Sequence, residues 1–364
     1  MKKLFSGWIL GLLGCGMGVL ILTLPVPTLE GIRQGLLLCY RQVIPSLFPF
    51  FVASSLIVSS PLSQWLGCLL IPYTKFVLGI PSRRAATALL VSWLGGFAVA
   101  ARSISQIYQE GEITPSQSQR LMVCAVGSSP AFVINTVGLL FLGSSKLGLR
   151  IWLAHLVASL ICAMALRFVP TSKSQKSVKP ASVAPPSFGL ASAIQGAVQS
   201  ILVVCGFVVF FRALGQSLLH LMELSPLAQA ILYGTLEVTS GCQVASSVHG
   251  AALLCAALLS GQSLSVLLQV KALLHPLLSM GWLIGIRPLH MLLTVGLFQA
   301  SCVLWPVSQS VASTLAPQVI VTSQTAPDVA LVVFAMCCVV LSACHSGCKE
   351  QTHPAKNRPP VISS

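Results

Sequence analysis

Charge is what this sequence lacks most. Only 8% of its 364 residues are Asp, Glu, Lys or Arg, and Asp and Glu together number seven. A soluble domain carries about a quarter charged residues, so a water-soluble globular protein is excluded. Apolar residues make up 55% of the chain and the mean hydropathy is +0.88. The composition fits an all-α, polytopic transmembrane helical bundle. A helix needs roughly 20 apolar residues to cross the hydrocarbon, which leaves room for about 10 to 12 segments on that count.

The scarcity of carboxylates also bears on chemistry. Glu237 is the one acidic residue deep in an apolar run, and a single carboxylate cannot form a general acid/base pair. No His-Glu-x-x-His pattern and no phosphate-cradling glycine loop occurs. The sequence is therefore read as not an enzyme, with no cofactor and no metal. Thirteen cysteines are scattered through apolar segments, where they behave as small hydrophobes. Cys344-His345-Ser346-Gly347-Cys348 brings thiols and an imidazole together but lacks the second ligand pair of a zinc site. Leu12-Leu13-Gly14-Cys15 is a faint lipobox whose apolar run continues to Leu24, so it reads as part of a retained N-terminal transmembrane anchor.

The net charge of +14 does not point to nucleic acid, because no Lys/Arg face is interleaved with aromatics. The excess sits at segment ends: Lys2 and Lys3, residues 167–179, and Lys349, Lys356 and Arg358. Positive residues so placed mark the cytoplasmic side of a multi-pass protein of the cell (inner or plasma) membrane. They also suit anionic headgroups of the bilayer. The N-terminus, a linker and the C-terminus are all expected to be cytoplasmic. Six crossings before the linker and six after would satisfy this, except that Arg83 and Arg84 then fall on the wrong side unless the segment near them is re-entrant.

The chain divides by composition. Residues 1–34 form an anchor and loop, 35–169 a first membrane repeat, 170–187 a flexible basic linker rich in Pro, Ser and Lys, and 188–307 a second repeat. A loop and last transmembrane helix follow at 308–345, and a disordered tail at 346–364. Expected spans in the second repeat end with 272–286 and 288–307. An odd number of crossings per repeat inverts the second relative to the first.

Polar breaks interrupt the apolar runs. One lies at Gly127-Ser128-Ser129-Pro130, continuing to Asn135. Pro130 removes a donor and disfavours helix at Ser129. Irregular backbone at membrane depth is tolerated only where it is buried in protein or lines a wet cavity. A second break lies at Gly95-Gly96 to Arg102, and a third at Glu237-Val238-Thr239-Ser240-Gly241-Cys242-Gln243. A fourth runs through Ser260, Gln262, Ser263, Ser265 and Gln269. They fall in corresponding order in the two halves, as expected of broken helices around a midplane site. The candidate substrate-binding residues are Ser128, Ser129, Asn135, Glu237, Thr239, Ser240, Gln243, Ser265 and Gln269. Arg102 is the candidate charge partner of Glu237. His249, His275 and His290 read as interfacial or structural.

Four of these stretches carry a family resemblance. Val43-Ile-Pro-Ser-Leu-Phe-Pro-Phe-Phe51 is similar to a proline-phenylalanine segment, and Gly96-Phe-Ala-Val-Ala-Ala-Arg102 with Glu110-Gly-Glu-Ile-Thr114 to a Gly-Tyr-Pro-x-Gly-Ala-Lys region. Ser129-Pro130-Ala-Phe-Val-Ile-Asn-Thr-Val-Gly138 and Leu236-Glu-Val-Thr-Ser-Gly-Cys242 complete the set. Over about residues 35–305 the chain resembles the YlbJ-type sporulation integral membrane proteins of the nucleoside-recognition (Gate) domain superfamily. Ala98 and Ala100 stand where that family has proline and glycine, which implies a softer first bend. Leu267 stands where it often has histidine. The resemblance implies a membrane protein of spore cortex or envelope formation, with other sporulation membrane proteins as candidate partners. Two functions are consistent with it: a transporter-like protein for a small polar solute, or a non-transporting scaffold in spore assembly.

Overall fold

The computed structural model describes residues 2–166 and 189–305. The linker at 170–187, the segments at 308–345 and the tail lie outside them. Among the described residues there are helices and no strands. In chain order they are α1 (Lys2–Thr23), α2 (Pro25–Leu38), the π-helical turn π1 (Cys39–Val43), α3 (Ile44–Ser59), α4 (Leu62–Tyr73), π2 (Thr74–Leu78), α5 (Arg83–Gly95), α6 (Phe97–Gln109), α7 (Pro115–Ala125), π3 (Ala131–Phe141) and α8 (Ser145–Ala165). The second half holds α9 (Leu190–Leu221), α10 (Pro226–Leu236), α11 (Val238–Ala245), α12 (Ala251–Gly261), α13 (Leu264–Leu273) and α14 (Gly281–Leu304). The all-α polytopic bundle read from composition is the observed fold.

Hydroxyl caps start many of these helices, as the sequence invites. Ser82, Ser225 and Ser263 each accept a backbone N–H three residues on. Thr114 and Gln117 form a reciprocal capping box before α7, with Pro115 at its first position. Such caps satisfy the orphan donors of a helix start.

Four helical stretches are long and apolar enough to cross a membrane: Ser145–Ala165, Leu190–Leu221, Ala251–Leu273 and Gly281–Leu304. Two bent pairs raise the total to six if each is one span. Gly14–Thr23 meets Pro25–Val43 at 110°, and Leu47–Ser59 meets Leu62–Leu78 at 91°. Twelve full crossings are therefore not what the described residues form. The difference lies largely in two helical hairpins whose arms are too short to span.

In the first hairpin, α5 runs to Gly96 and α6 returns. Its base is closed where Arg84 Nη1 meets Glu110 Oε2 at 2.7 Å and Ser82 Oγ donates to Glu112 Oε2 at 2.9 Å. Arg83 and Arg84 thus sit at the base of this short hairpin. The turn is made at Gly96, with φ 84° and ψ −169°, a region open essentially to glycine alone. The reversal at Gly96 precedes Ala98 and Ala100, which both lie within α6. In the second hairpin α10 and α11 fold back at Glu237. A Cβ on Gly241 would run into the Cα of Gly234, so the arms meet backbone to backbone, the close packing that small residues permit.

Between the hairpins lie interrupted spans. The α7–π3 pair runs antiparallel to α8. Gly138 sits on Gly148, Gly127 on His155, and Tyr73 Oη reaches both Cys124 Sγ and Leu160 O. The 126–130 break therefore lies beside the middle of α8. The break at Gln262–Ser263 lies likewise beside the middle of α14, where Ser260 O is 3.2 Å from His290 Nδ1. The order hairpin, broken span, long helix occurs once in each half. Direction is inverted: α8 and α14 are antiparallel, joined by Ser159–His290 at one level and Arg150–Ser301 at another. The α2–π1–α3 run and α9 are antiparallel too, through Thr28–Ser217 and Cys39–Cys205. The boundary expected at residue 287 is absent. Pro288 lies inside α14, which continues through it to Leu304.

Candidate functional site

Both hairpin tips and both broken spans contribute residues to one cavity of about 60 Å³. Gly96 and Phe97 come from the first hairpin tip, Glu237 and Thr239 from the second, Ser128 and Ser129 from the α7–π3 break, and Gln269 from α13. Gln42 on π1 and Val204 and Val208 on α9 also line it. The tips belong there for steric reasons. A Cβ at Gly96 would lie 3.1 Å from Ser129 N and 3.2 Å from Ser129 Cβ, so the first tip packs directly on the opening break.

Glu237 is 2% exposed. It is the N-cap of α11, with an extended backbone (φ −146°) that ends α10. Its Oε1 accepts from Thr239 N at 2.8 Å; its Oε2 accepts from Ser240 N at 2.7 Å and from Ser240 Oγ at 2.6 Å. Helix N-termini favour negative charge, and hydrogen bonds to a carboxylate are among the stronger ones. The carboxylate is thus held by its own helix rather than by a cation. Arg102 does not pair with it: Arg102 Nη1 donates to Ser200 Oγ at 3.2 Å, and its guanidinium packs on Gly196 of α9. Among the described residues Glu237 has no ion-pair partner.

Gln269 is also buried, at 2% exposure. Its Nε2 donates to Ser265 Oγ at 2.8 Å, which places Ser265 behind it, and its Oε1 has no hydrogen-bond partner. Ser129 Oγ caps π3 by accepting from Phe132 N at 3.3 Å. The wall is consequently rich in acceptors: a carboxylate, a free amide oxygen and hydroxyls.

Of the residues singled out in the sequence, Ser128, Ser129, Glu237, Thr239 and Gln269 line the cavity. Ser240 and Ser265 stand one layer back, each bonded to a lining side chain. Asn135 and Gln243 are exposed and do not line it. Phe132 and Thr136, four residues apart on π3, face the cavity, and Asn135 lies between those turns. On α11, Val238 and Thr239 take the inner position and Gln243 falls on another face.

Three residues escaped the sequence reading. Gln42 and Thr136 line the cavity, but nothing in an apolar segment distinguishes an inward from an outward polar residue. Arg287 is the third, 5% exposed within α14. Its signal was available, since a basic residue inside a span is a functional candidate by default. Arg287 Nη2 and Gln262 Nε2 donate to Val126 O at 2.8 and 3.1 Å, satisfying the carbonyl freed at the opening break. Gln262 does so with φ 59°, the one positive value at a non-glycine among the described residues. Such strain persists only where the surroundings over-determine it.

This geometry meets a sequence match. The chain is 23% identical over 238 residues to the sporulation integral membrane protein YlbJ of Bacillus subtilis (strain 168). The chain is YlbJ-like. The match covers 60% of this chain and 58% of YlbJ, so it spans little more than half the length of that relative. No protein-family model and no solved structure matches the chain. YlbJ-like character and a multi-helix membrane fold therefore stand together, while the residues of the cavity rest on geometry alone.

Proposed function

We propose that this YlbJ-like chain is a transporter-like protein of the cell membrane that holds a small polar solute where its four helix breaks meet, and that it serves sporulation, as the name of its relative says of YlbJ. The observation that carries the reading is the convergence of two hairpin tips and two broken spans, from inverted halves, on one cavity. Discontinuous helices around a midplane site are the recurring arrangement of secondary transporters. The hairpins reach the cavity from opposite sides, and displacement of either tip would open it on that side.

The chemistry of the wall supports a class of solute. The N-terminus of α11, a ready site for anions, is already filled by Glu237. The polar residues lining the cavity include Glu237, whose carboxylate has lone pairs to spare, Gln269, Ser128 and Ser129. Such a wall suits a solute bearing N–H or O–H donors, neutral or cationic, over an anion. Nucleosides and amines meet that description, and the Gate-domain resemblance adds nucleosides to the candidates.

The test is a thermal-unfolding screen of purified protein against nucleosides, amino acids, dipicolinate and metal ions. A ligand bound only by the folded state raises its stability with occupancy. A donor-bearing hit lost in Gln269→Ala supports the reading. A screen in which only anions stabilise, or in which hits survive that substitution, overturns it.

A further inference from the structure

Two arginines flank the solute cavity along α9. Val204 and Val208 of that helix line the cavity, and residues four apart on a helix share a face. One such step toward the helix start is Ser200, and one toward its end is Arg212. Ser200 Oγ accepts from Arg102 Nη1 at 3.2 Å, and the same guanidinium lies against Gly196, where an added Cβ would run into Nη2. Arg212 donates through Nε and Nη2 to Gln34 Oε1, at 3.2 and 2.8 Å, and its guanidinium carbon stands 5.2 Å from the centre of the Tyr233 ring. Ser200 and Arg212 are about 18 Å apart along the helix axis at 1.5 Å per residue, with the cavity between them.

Each guanidinium stands across the seam between α9 and one hairpin. Arg102 belongs to α6, one helical turn from Ala98, which lines the cavity behind the first tip. Tyr233 belongs to α10, one turn from Glu237 at the second tip. Its hydroxyl donates to Gln216 Oε1 of α9 at 2.6 Å, and its ring packs on Gly215. Both arginines are half-buried, and neither has an ion-pair partner among the described residues. Glu30, beyond Gln34, is taken by Arg33 at 2.8 Å. Positive charge therefore stands on both approaches, and Glu237 supplies negative charge between them. Transporter selectivity rests in part on such electrostatic barriers, an arginine that excludes cations among them. The carboxylate disfavours an anion in the cavity, and the guanidiniums disfavour a cation on the way to it. An uncharged solute meets neither penalty.

We propose that Arg102 and Arg212 are the charge-selecting residues of the two approaches and restrict the cavity to uncharged solutes. Arg102 guards the seam of the first hairpin and Arg212 the seam of the second. The inference rests on the transporter-like reading and narrows its solute from neutral or cationic to neutral, with N–H or O–H donors.

The test uses the full-length protein in detergent, with Ser128→Cys as a half-buried reporter in the cavity wall. Mass spectrometry of the peptide carrying residue 128 reads its modification apart from the native cysteines. The probes are aminoethyl and hydroxyethyl methanethiosulfonate at pH 7, alike in size but cationic and neutral. Each rate is divided by the rate of the same probe with a free thiol in solution. With both arginines in place the neutral probe should react about tenfold faster or more, the scale of one unit charge a helical turn away at an intermediate dielectric. Arg102→Gln and Arg212→Gln should each raise the relative rate of the cationic probe by a similar factor, because each opens one approach. Arg102→Lys and Arg212→Lys should keep the original ratio. If a Gln variant does not fold, the ratio with both arginines in place decides. Equal rates for the two probes there, an unchanged ratio in the folded Gln variants, selectivity lost in the Lys variants, or a reporter thiol that neither probe reaches overturns the proposal. The solute screen reads the other question. A neutral hit beside an unselective reporter keeps the solute site and removes the charge filter; a selective reporter with no hit keeps the filter and counts against the solute site.

Discussion

Gly96→Ala is the sharpest test of how the site is built. Two separable penalties act at this position. The backbone at φ 84° and ψ −169° lies where a side chain costs about 1–3 kcal/mol. The new Cβ would also stand 3.1 Å from Ser129 N and 3.2 Å from Ser129 Cβ, an overpacking worth about 1–3 kcal/mol. The sum is about 2–6 kcal/mol. Gly79→Ala is the internal control. Gly79 is left-handed, at φ 70° and ψ 31°, and an added Cβ meets only the tip of Arg120 at 3.4 Å, so its cost is about 1–2 kcal/mol. Unfolding by denaturant, followed through tryptophan emission, compares the two. Trp93 stands three residues from the tip and reports on it. Gly96→Ala should also lose any solute-induced stabilisation, because the tip and Ser129 cannot both keep their places. Equal costs at the two glycines, or full solute response in Gly96→Ala, would refute the packing of the first hairpin on the opening break.

Other expectations are more direct. Gly241→Ala places a Cβ onto the backbone of Gly234 and should cost about 2 kcal/mol or more by forcing the second hairpin apart; wild-type stability would contradict the hairpin. Glu237→Gln can keep an acceptor on only one side of the α11 start, leaving one buried N–H unpaired at about 1–3 kcal/mol. Relief of a buried charge offsets part of that, so the variant should remain folded while its solute response falls. Asn135→Ala should stay within about 0.5 kcal/mol of wild type, as exposed positions do, and should keep the solute response. A loss of that response would return Asn135 to the site.

Much of the arrangement is already written in the residue pattern. Pro130 between Ser129 and a run of apolar residues must break a helix, and a break in an apolar run must be sheltered. A carboxylate followed by Val-Thr-Ser reads as a helix start, and Glu237 is one. The depth and order of the four breaks were visible for these reasons. Which side of each break faces inward was not. Asn135 and Gln243 are as polar as Ser129 and Gln269, yet helix phase turns the first pair outward. Arg102 and Glu237 are the obvious charge pair in a list of residues, but α6 directs Arg102 to Ser200 and Gly196 on α9. Hairpin arms and crossing helices share one composition, so counting apolar runs overstates the crossings.

Sequence alone determined that this chain lives in a bilayer, that it is helical, and where its helices fail. Those follow from local chemistry: hydropathy, proline, glycine and the need to satisfy every backbone group in lipid. Tertiary structure decided that the failures meet. Helix packing within each half brings Gly96 onto Ser129 and sets Glu237 and Gln269 in one wall, and packing of one half on the other brings Gln262 onto Val126. Those pairings join residues more than 30 positions apart and, for Gln262 and Val126, 136 apart, a separation at which no local preference acts and only the close fit of helix against helix selects the partner.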